Sequence, residues 1–176
     1  MKRIFIGSKI NINNDIYDEI VRDFDGIVNG KWVEPYNLHI TYKFIGDIEE
    51  NLIPIIKGLL VEELKKYKVS LRLEGIGFFP RLSYAKILYI GLNEKNNLLL
   101  KYNKIIENKL SEIGIPRSNK KFQSHITLCR IKSFESTPLQ EIADLYKDKH
   151  FQLIESLEIN IFESKLTKSG PIYSIL

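Results

Sequence analysis

The order of strand-like and helix-like segments predicts an α+β protein of two similar lobes, related by a pseudo-twofold axis. A strand, a helix, a second strand, a helix and a third strand follow one another in the first half of the chain, and again in the second half. The middle strand of each half carries the same tripeptide, His39-Ile40-Thr41 and His125-Ile126-Thr127. About half of the 176 residues separate the two copies. We therefore predict a diverged internal duplication, with the two motif strands on opposite sides of one central cleft.

Apolar periodicity, turn residues and helix ends give the individual elements of the first half. Alternation predicts strands, and apolar residues three and four apart predict helices. Gly30 is expected to close the first helix, and Gly46 to end the first motif strand. In order, we predict a strand at 2–8, a helix at 13–28, an extended piece at 31–33, the motif strand at 39–45, a helix from 47 or 49 to 64, and a strand at 69–76.

The second half follows the same order without a Gly-, Ser- or Pro-rich linker between the halves. Thr137 and Pro138 combine a helix cap with a favourable first helical residue. We predict strands at 86–92, 122–131, 152–166 and 172–176, and helices at 94–113 and from 137 onward. Residues 1–176 are therefore expected to form a single bilobal domain.

Each motif presents an imidazole and a hydroxyl on one face of its strand, because alternate strand residues point to the same side. Two facing pairs would supply two acid/base groups and two hydroxyl donors. Opening a 2′,3′-cyclic phosphate needs a base for water, an acid for the departing ribose oxygen and donors for the phosphoryl oxygens. Histidine suits both proton roles because its reference pKa is about 6.5. The motifs therefore favour metal-independent phosphoryl chemistry.

A single histidine in an apolar strand is usually structural, so either motif alone would be a weak signal. Two of the three histidines carry the pattern, within similar apolar surroundings, which makes the pair a strong one. His150 lacks the pattern and is expected at the surface or at a strand edge. Cys129 is expected to be a small buried residue, since no neighbouring cation or histidine indicates a nucleophile.

The composition narrows the class of protein. A hydrophobic content of 44% supports a packed core, and a formal net charge of +4 is weak support for an anionic substrate. A single cysteine excludes an intramolecular disulfide framework and a cysteine-based zinc cluster. The apolar run after Lys2 and Arg3 is too short for a signal peptide or a membrane span. We expect a cytoplasmic protein.

Five segments carry a resemblance to a known family: RIFIGSKI, KWVEPYNLHITYKFIGDI, GIGFFP, SHITLCRI and FESKLTKSGPIYSIL. They resemble the 2H phosphoesterase superfamily, and within it the RNA 2′,3′-cyclic phosphodiesterases once called 2′-5′ RNA ligases. The resemblance implies a bilobal α+β fold with a central cleft, no cofactor, and hydrolysis to a 2′-phosphate. It implies that His39 is the proton donor and His125 the proton acceptor, with Thr41 and Thr127 holding the phosphate. Ser124 replaces a proline frequent in the family.

Four further residues are candidates for the cleft. Arg130 matches a family arginine that binds phosphate, but strand parity would turn it away from His125 unless a bulge intervenes. Lys43 has the parity of His39, so it is a candidate cation in the cleft, although a solvated lysine fits equally. Phe5 is a candidate for the cleft floor, and Trp32 for shaping the first lobe, with base stacking as the alternative.

The sequence thus predicts an RNA 2′,3′-cyclic phosphodiesterase that needs neither metal nor cofactor. We expect a monomer that acts on RNA 3′ ends or cyclic nucleotides and does not bind membranes. Three alternatives stay open. The same site could serve 2′,5′-linked oligonucleotides, ADP-ribose cyclic phosphate or ligation; the protein could be an RNA-end binding module with little turnover; or it could be a metal hydrolase, although no carboxylates cluster with the histidines.

Overall fold

The computed structural model describes residues 1–94, 96–168 and 170–176 of the chain. These residues form nine β-strands and four α-helices, which confirms the predicted α+β class. The elements are β1 (Lys2–Lys9), α1 (Asn14–Asp23), β2 (Val28–Trp32), β3 (His39–Ile48), α2 (Leu52–Leu59), β4 (Lys66–Phe79), β5 (Ile87–Asn93), α3 (Leu98–Glu112), β6 (His125–Phe134), α4 (Ser136–Tyr146), β7 (His150–Glu158), β8 (Asn160–Thr167) and β9 (Gly170–Ile175).

All strand pairs are antiparallel, and the strand order is β7-β4-β5-β6-β3-β1-β8-β9, with β2 added to β6. The two motif strands, β3 and β6, meet at one register pair, Ile40 with Ile126. Four strands lie on the β3 side of this junction and five on the β6 side. This narrow junction divides the sheet into the two predicted lobes, and the motifs lie where the lobes meet.

The halves of the sequence do not coincide with the lobes, because strands of each half pair in the other lobe; β2 of the first half, for example, pairs with β6. β4 belongs to the first half but pairs with β5 and β7, whereas β8 belongs to the second half but pairs with β1. The predicted strand at 152–166 is therefore two strands, separated at the fully buried Ile159. The prediction of one strand was wrong here because periodicity continues through Ile159 while the pairing partner changes.

The first helix is shorter than predicted. Asn13 caps α1 by accepting a hydrogen bond from the Asp15 amide at 2.8 Å, but the helix ends at Asp23. Gly26 then adopts a φ of 74°, and residues 28–32 form β2. Gly30 lies within this strand and does not close a helix, so that prediction was wrong. A Cβ at this position would lie 2.5 Å from the Arg130 carbonyl oxygen, which explains why the residue is glycine. Its role is to let β2 approach β6 closely.

Helices cover the sheet face opposite the motif side chains. α3 packs against β3, and α4 packs against β4. Ile40 and Ile126, which lie between the histidine and threonine of each motif, are fully buried in the core. The core therefore holds the middle of each motif rigidly, while the neighbouring side chains face the other way. Within the described helices, no stretch is long and apolar enough to cross a membrane.

Candidate active site

The register between β3 and β6 brings the two motifs into one site. Because Ile40 pairs with Ile126 in antiparallel strands, His39 lies across from Thr127, and Thr41 lies across from His125. All four side chains line a single cavity of about 320 Å³ between the lobes. Each histidine therefore has the hydroxyl of the other motif as its cross-strand neighbour.

Backbone carbonyls select the tautomer of both histidines. His39 Nδ1 lies 2.6 Å from the Asn37 carbonyl oxygen, and His125 Nδ1 lies 2.8 Å from that of Gln123. A carbonyl oxygen only accepts hydrogen bonds, so Nδ1 carries the hydrogen and donates it in both rings. The Nε2 atoms of His39 and His125 are therefore left for proton exchange with a ligand.

Two aromatic rings support each imidazole. The ring of His39 lies 4.9 Å from those of Phe5 and Tyr173, between centroids. The ring of His125 lies 4.9 Å from that of Phe79 and 5.4 Å from that of Tyr89. These contacts, together with the carbonyl bonds, restrict the orientation of both rings before a ligand binds.

The same surroundings shift both titrations. Burial lowers the pKa of His39, and the nearby His125 and Arg130 lower it further, against the opposing effect of the Asn37 carbonyl. Burial also lowers the pKa of His125, against the effect of the Gln123 carbonyl. Without an anion in the cavity, both imidazoles therefore favour the neutral form near pH 7.

A β-bulge turns Arg130 into the cavity. Thr127 pairs with Tyr89 and Cys129 with Leu88, so one step along β5 spans two residues of β6. Leu128 and Cys129 are consequently both buried, and the alternation resumes with Arg130 on the same side as Thr127. Arg130 lines the cavity, as the family pattern implies and simple strand parity does not.

A corresponding bulge removes Lys43 from the cleft. Thr41 pairs with Gly7 and Lys43 with Ile6, so Tyr42 and Lys43 are both turned into the interior. Lys43 is only 6% exposed; its Nζ donates to Glu107 Oε2 at 2.8 Å and to the Pro116 carbonyl oxygen at 2.7 Å. The prediction of a cation in the cavity was wrong for Lys43, because parity counts did not include the bulge.

The remaining candidates occupy different positions. Trp32 lines the cavity, and Phe5 is buried beneath His39. His150 is exposed. Cys129 is buried, and burial raises the pKa of its thiol to about 11, as expected for a structural residue. Across residues 1–94, 96–168 and 170–176, no three His, Cys, Asp or Glu side chains are grouped closely enough to hold a metal ion.

Sequence reasoning missed the contribution of the C-terminal strand. Tyr173 of β9 contacts His39, and Pro171 lines the same cavity. The side-chain amide of Asn37 donates to the Pro171 carbonyl oxygen at 2.8 Å, so Asn37 joins β9 to the segment that orients His39. No local pattern marks Asn37 or Tyr173, since their importance depends on the position of β9 beside β8.

A sequence model described as "LigT like Phosphoesterase" matches the chain twice, over residues 12–89 and 90–173. The chain belongs to the LigT-like phosphoesterase family. The double match follows the duplication that the two motifs predict. Among curated proteins similar to this chain, a protein of Aquifex aeolicus named RNA 2′,3′-cyclic phosphodiesterase is 36% identical over 93% of this chain and 88% of its own length. A protein of the same name from Methanocaldococcus jannaschii is 33% identical over 99% of this chain and 98% of its own length.

Two solved structures have a similar fold. A crystal structure of a Thermus thermophilus protein superposes with a TM-score of 0.73 at 21% identity, covering 99% of this chain and 94% of the other. A crystal structure of Escherichia coli LigT complexed with 3′-AMP superposes with a TM-score of 0.70 at 18% identity, covering 99% and 95%. At these identities the likeness supports the bilobal fold.

Proposed function

We propose that this protein hydrolyses the 2′,3′-cyclic phosphate at RNA ends, or of nucleosides, to a 2′-phosphate without a metal ion. The observation that carries this proposal is the pair of histidines on two neighbouring strands. Each donates from Nδ1 to a backbone carbonyl, which leaves Nε2 for proton exchange, and each lies across from the other motif's threonine. The names of its 33–36% identical relatives agree with this activity. Because both lobes line the cavity, we infer that residues 1–176 act as one bilobal domain.

In the proposed reaction, His125 Nε2 takes a proton from water, and the water oxygen attacks phosphorus. The bond between phosphorus and the ribose 3′ oxygen breaks, and that oxygen takes the proton from His39 Nε2. Acid and base must flank phosphorus for in-line displacement, and the presence of both histidines in one cavity, on two neighbouring strands, supports this arrangement. The assignment of acid and base follows the family resemblance, and the product isomer tests which ribose oxygen departs.

Thr41, Thr127 and Arg130 are proposed to bind the non-bridging phosphoryl oxygens. The hydroxyls donate from both sides of the cavity, and Arg130 adds a cation. The substrate anion would also oppose the effects that lower the pKa of His39, because a neighbouring negative charge stabilises the imidazolium. Substrate binding would thereby help to charge the proposed acid.

The test is incubation of the purified protein with each 2′,3′-cyclic nucleotide monophosphate in EDTA, with the 2′- and 3′-phosphates resolved by chromatography. We expect the 2′-phosphate alone. His39→Ala and His125→Ala should each lower kcat at least about a hundredfold, as loss of a general acid or base does. The matched control is His150→Ala, which removes an exposed histidine outside the cavity and should leave kcat unchanged.

Each failure has a separate meaning. A 3′-phosphate product would keep both histidines in the reaction, but it would show that the ribose 2′ oxygen departs and would contradict the proposed 2′-phosphate product. Full activity in either motif variant would remove the role assigned to that histidine. Loss of activity on EDTA treatment, restored by a divalent cation, would contradict the metal-independent reaction.

A further inference from the structure

A second groove opens from the candidate active site. It shares Thr41 and His125 with the first cavity and extends away from them between α3 and the segment 117–123, with a volume of about 480 Å³. A ligand in the active site could therefore continue into this groove without leaving the protein surface. Apart from Thr41 and His125, the residues that line this groove have no role in the chemistry proposed above.

The groove is cationic. Its described lining includes four exposed cations, Lys104, Arg117, Lys120 and Lys121. Within the described parts of the chain, none of these four lies within 4.0 Å of a carboxylate. Their charges are therefore available to an anionic ligand.

Glu107 is the one carboxylate among the described lining residues, and it is neutralised. Lys43 pairs with Glu107 Oε2 at 2.8 Å, and the Ser118 amide donates to the same oxygen at 3.1 Å. Lys43 also donates to the Pro116 carbonyl oxygen. This buried pair thus anchors the segment that carries Arg117, Lys120 and Lys121, and it holds those cations beside the active site.

The groove also presents an exposed aromatic ring. Phe44 is 54% exposed and lines the groove, with the Arg3 guanidinium 5.4 Å from its ring centroid. Phe44 occupies the position in β3 that Arg130 occupies in β6. Each is the first residue after two consecutive buried residues at a bulge, so each points away from the core. Cations that track a backbone, combined with an exposed ring, are the usual equipment for binding single-stranded nucleic acid.

We propose that this groove binds the RNA strand that leads into the terminal cyclic phosphate. A 2′,3′-cyclic phosphate closes the 3′ end, so the rest of the strand extends only from the 5′ side of that nucleotide. Phosphodiester groups on this side lie against Lys120 and Lys121, and a base stacks on Phe44. The inference rests on the proposed function and names its substrate class: a single-stranded oligoribonucleotide in preference to a mononucleotide.

The experiment compares kcat/KM for uridine 2′,3′-cyclic phosphate and for a hexauridylate with the same cyclic end. We expect the wild type to favour the hexamer, and Lys120→Ala/Lys121→Ala to lower kcat/KM for the hexamer about tenfold while changing the mononucleotide less than twofold. Lys65→Ala/Lys66→Ala is the matched control, because it removes two neighbouring charges outside the groove, one just before β4 and one at its first residue. It should leave both values unchanged.

Binding supplies a readout that does not depend on turnover. Anisotropy of a 5′-fluorescein hexauridylate ending in a 2′-phosphate gives Kd at several salt concentrations. Loss of two phosphate contacts should reduce the slope of log Kd against log salt by about 1.4, since each contact to a single strand contributes about 0.7. A hexamer with neutral methylphosphonate linkages should bind wild type and the Lys120/Lys121 variant alike.

Two results would overturn the groove assignment. One is an equal loss of kcat/KM on the mononucleotide and on the hexamer in the Lys120/Lys121 variant; the other is kcat/KM values in that variant equal to those of the Lys65/Lys66 control. Failure of the proposed function looks different. In that case the wild type hydrolyses neither substrate, while the salt dependence of hexamer binding still reports whether the groove holds RNA.

Discussion

Replacement of Lys43 by methionine should destabilise the protein strongly, although Lys43 lies outside the proposed chemistry. Methionine keeps much of the side-chain length but removes the donor to Glu107 and to the Pro116 carbonyl oxygen. The Glu107 side chain is 12% exposed, so its charge would be left largely buried, and among the described residues the Ser118 amide would be its remaining partner. An unpaired buried charge is costly because water no longer solvates it.

The expected magnitude follows from that geometry. Removal of one partner of a buried ion pair costs about 3–5 kcal/mol, and the remaining amide bond and partial exposure of Glu107 favour the lower end, about 3 kcal/mol. At about 2–4 °C per kcal/mol for a chain of this size, Tm should fall by about 6–12 °C. Lys43→Met/Glu107→Met removes both charges and should recover most of this loss.

Urea unfolding followed by far-UV circular dichroism and by the fluorescence of Trp32, the single tryptophan, measures these changes. Lys65→Met is the control: its pair with Glu62 is long, at 3.7 Å, and exposed, so the cost should stay below about 1 kcal/mol. Trypsin should also cleave the Lys43→Met variant faster after Arg117 and Lys120. Two results would show that the buried pair does not anchor the segment 117–123. One is a free energy of unfolding of Lys43→Met within about 1 kcal/mol of wild type; the other is a Lys43→Met/Glu107→Met variant less stable than Lys43→Met alone.

Three further predictions concern the site. Burial lowers the pKa of both His39 and His125, so the pH optimum of kcat/KM, which reports the free enzyme, should lie below about 6.5. The pH optimum of kcat should be higher, because bound phosphate stabilises an imidazolium. A kcat/KM optimum above about pH 7.5 would contradict this prediction. Thr41→Val keeps the shape of the side chain but removes the hydroxyl, and it should lower kcat about 10²–10³-fold. Thr41→Ser keeps a hydroxyl, and its kcat should stay within about tenfold of wild type. A kcat for Thr41→Val within about twofold of wild type would show that the Thr41 hydroxyl does not contact the transition state. Gly77→Ala would place Cβ 2.3 Å from the Tyr89 ring that supports His125, so kcat should fall in steady-state assays, whereas Gly58→Ala, with nothing within 4 Å, should not change it.

Much of the fold was predictable because its signals are local. Alternation and helical spacing depend on neighbours in the sequence, and β3 begins at His39 as predicted. The ends were predicted less well: β3 continues past Gly46 to Ile48, and β6 covers His125–Phe134 where 122–131 was predicted. The repeated order of elements also predicted two lobes. The strand crossings at β4 and β8 were not predictable, since a strand's pattern records which face is buried but not which distant strand lies beside it.

The sequence by itself determined that two histidines and two threonines would share faces of two equivalent strands, and that these strands would be related by duplication. Only the tertiary structure decided which cations reach the cavity. The bulge in β3 turns Lys43 into the core, and the bulge in β6 turns Arg130 into the cavity. These bulges arise from the register of β3 with β1 and of β6 with β5, which are distant in the sequence. Tyr173 and Asn37 likewise act through pairing of β9 with β8 and its contact with the His39 segment. Local alternation encodes two faces, whereas register against distant strands decides where that alternation shifts by one residue.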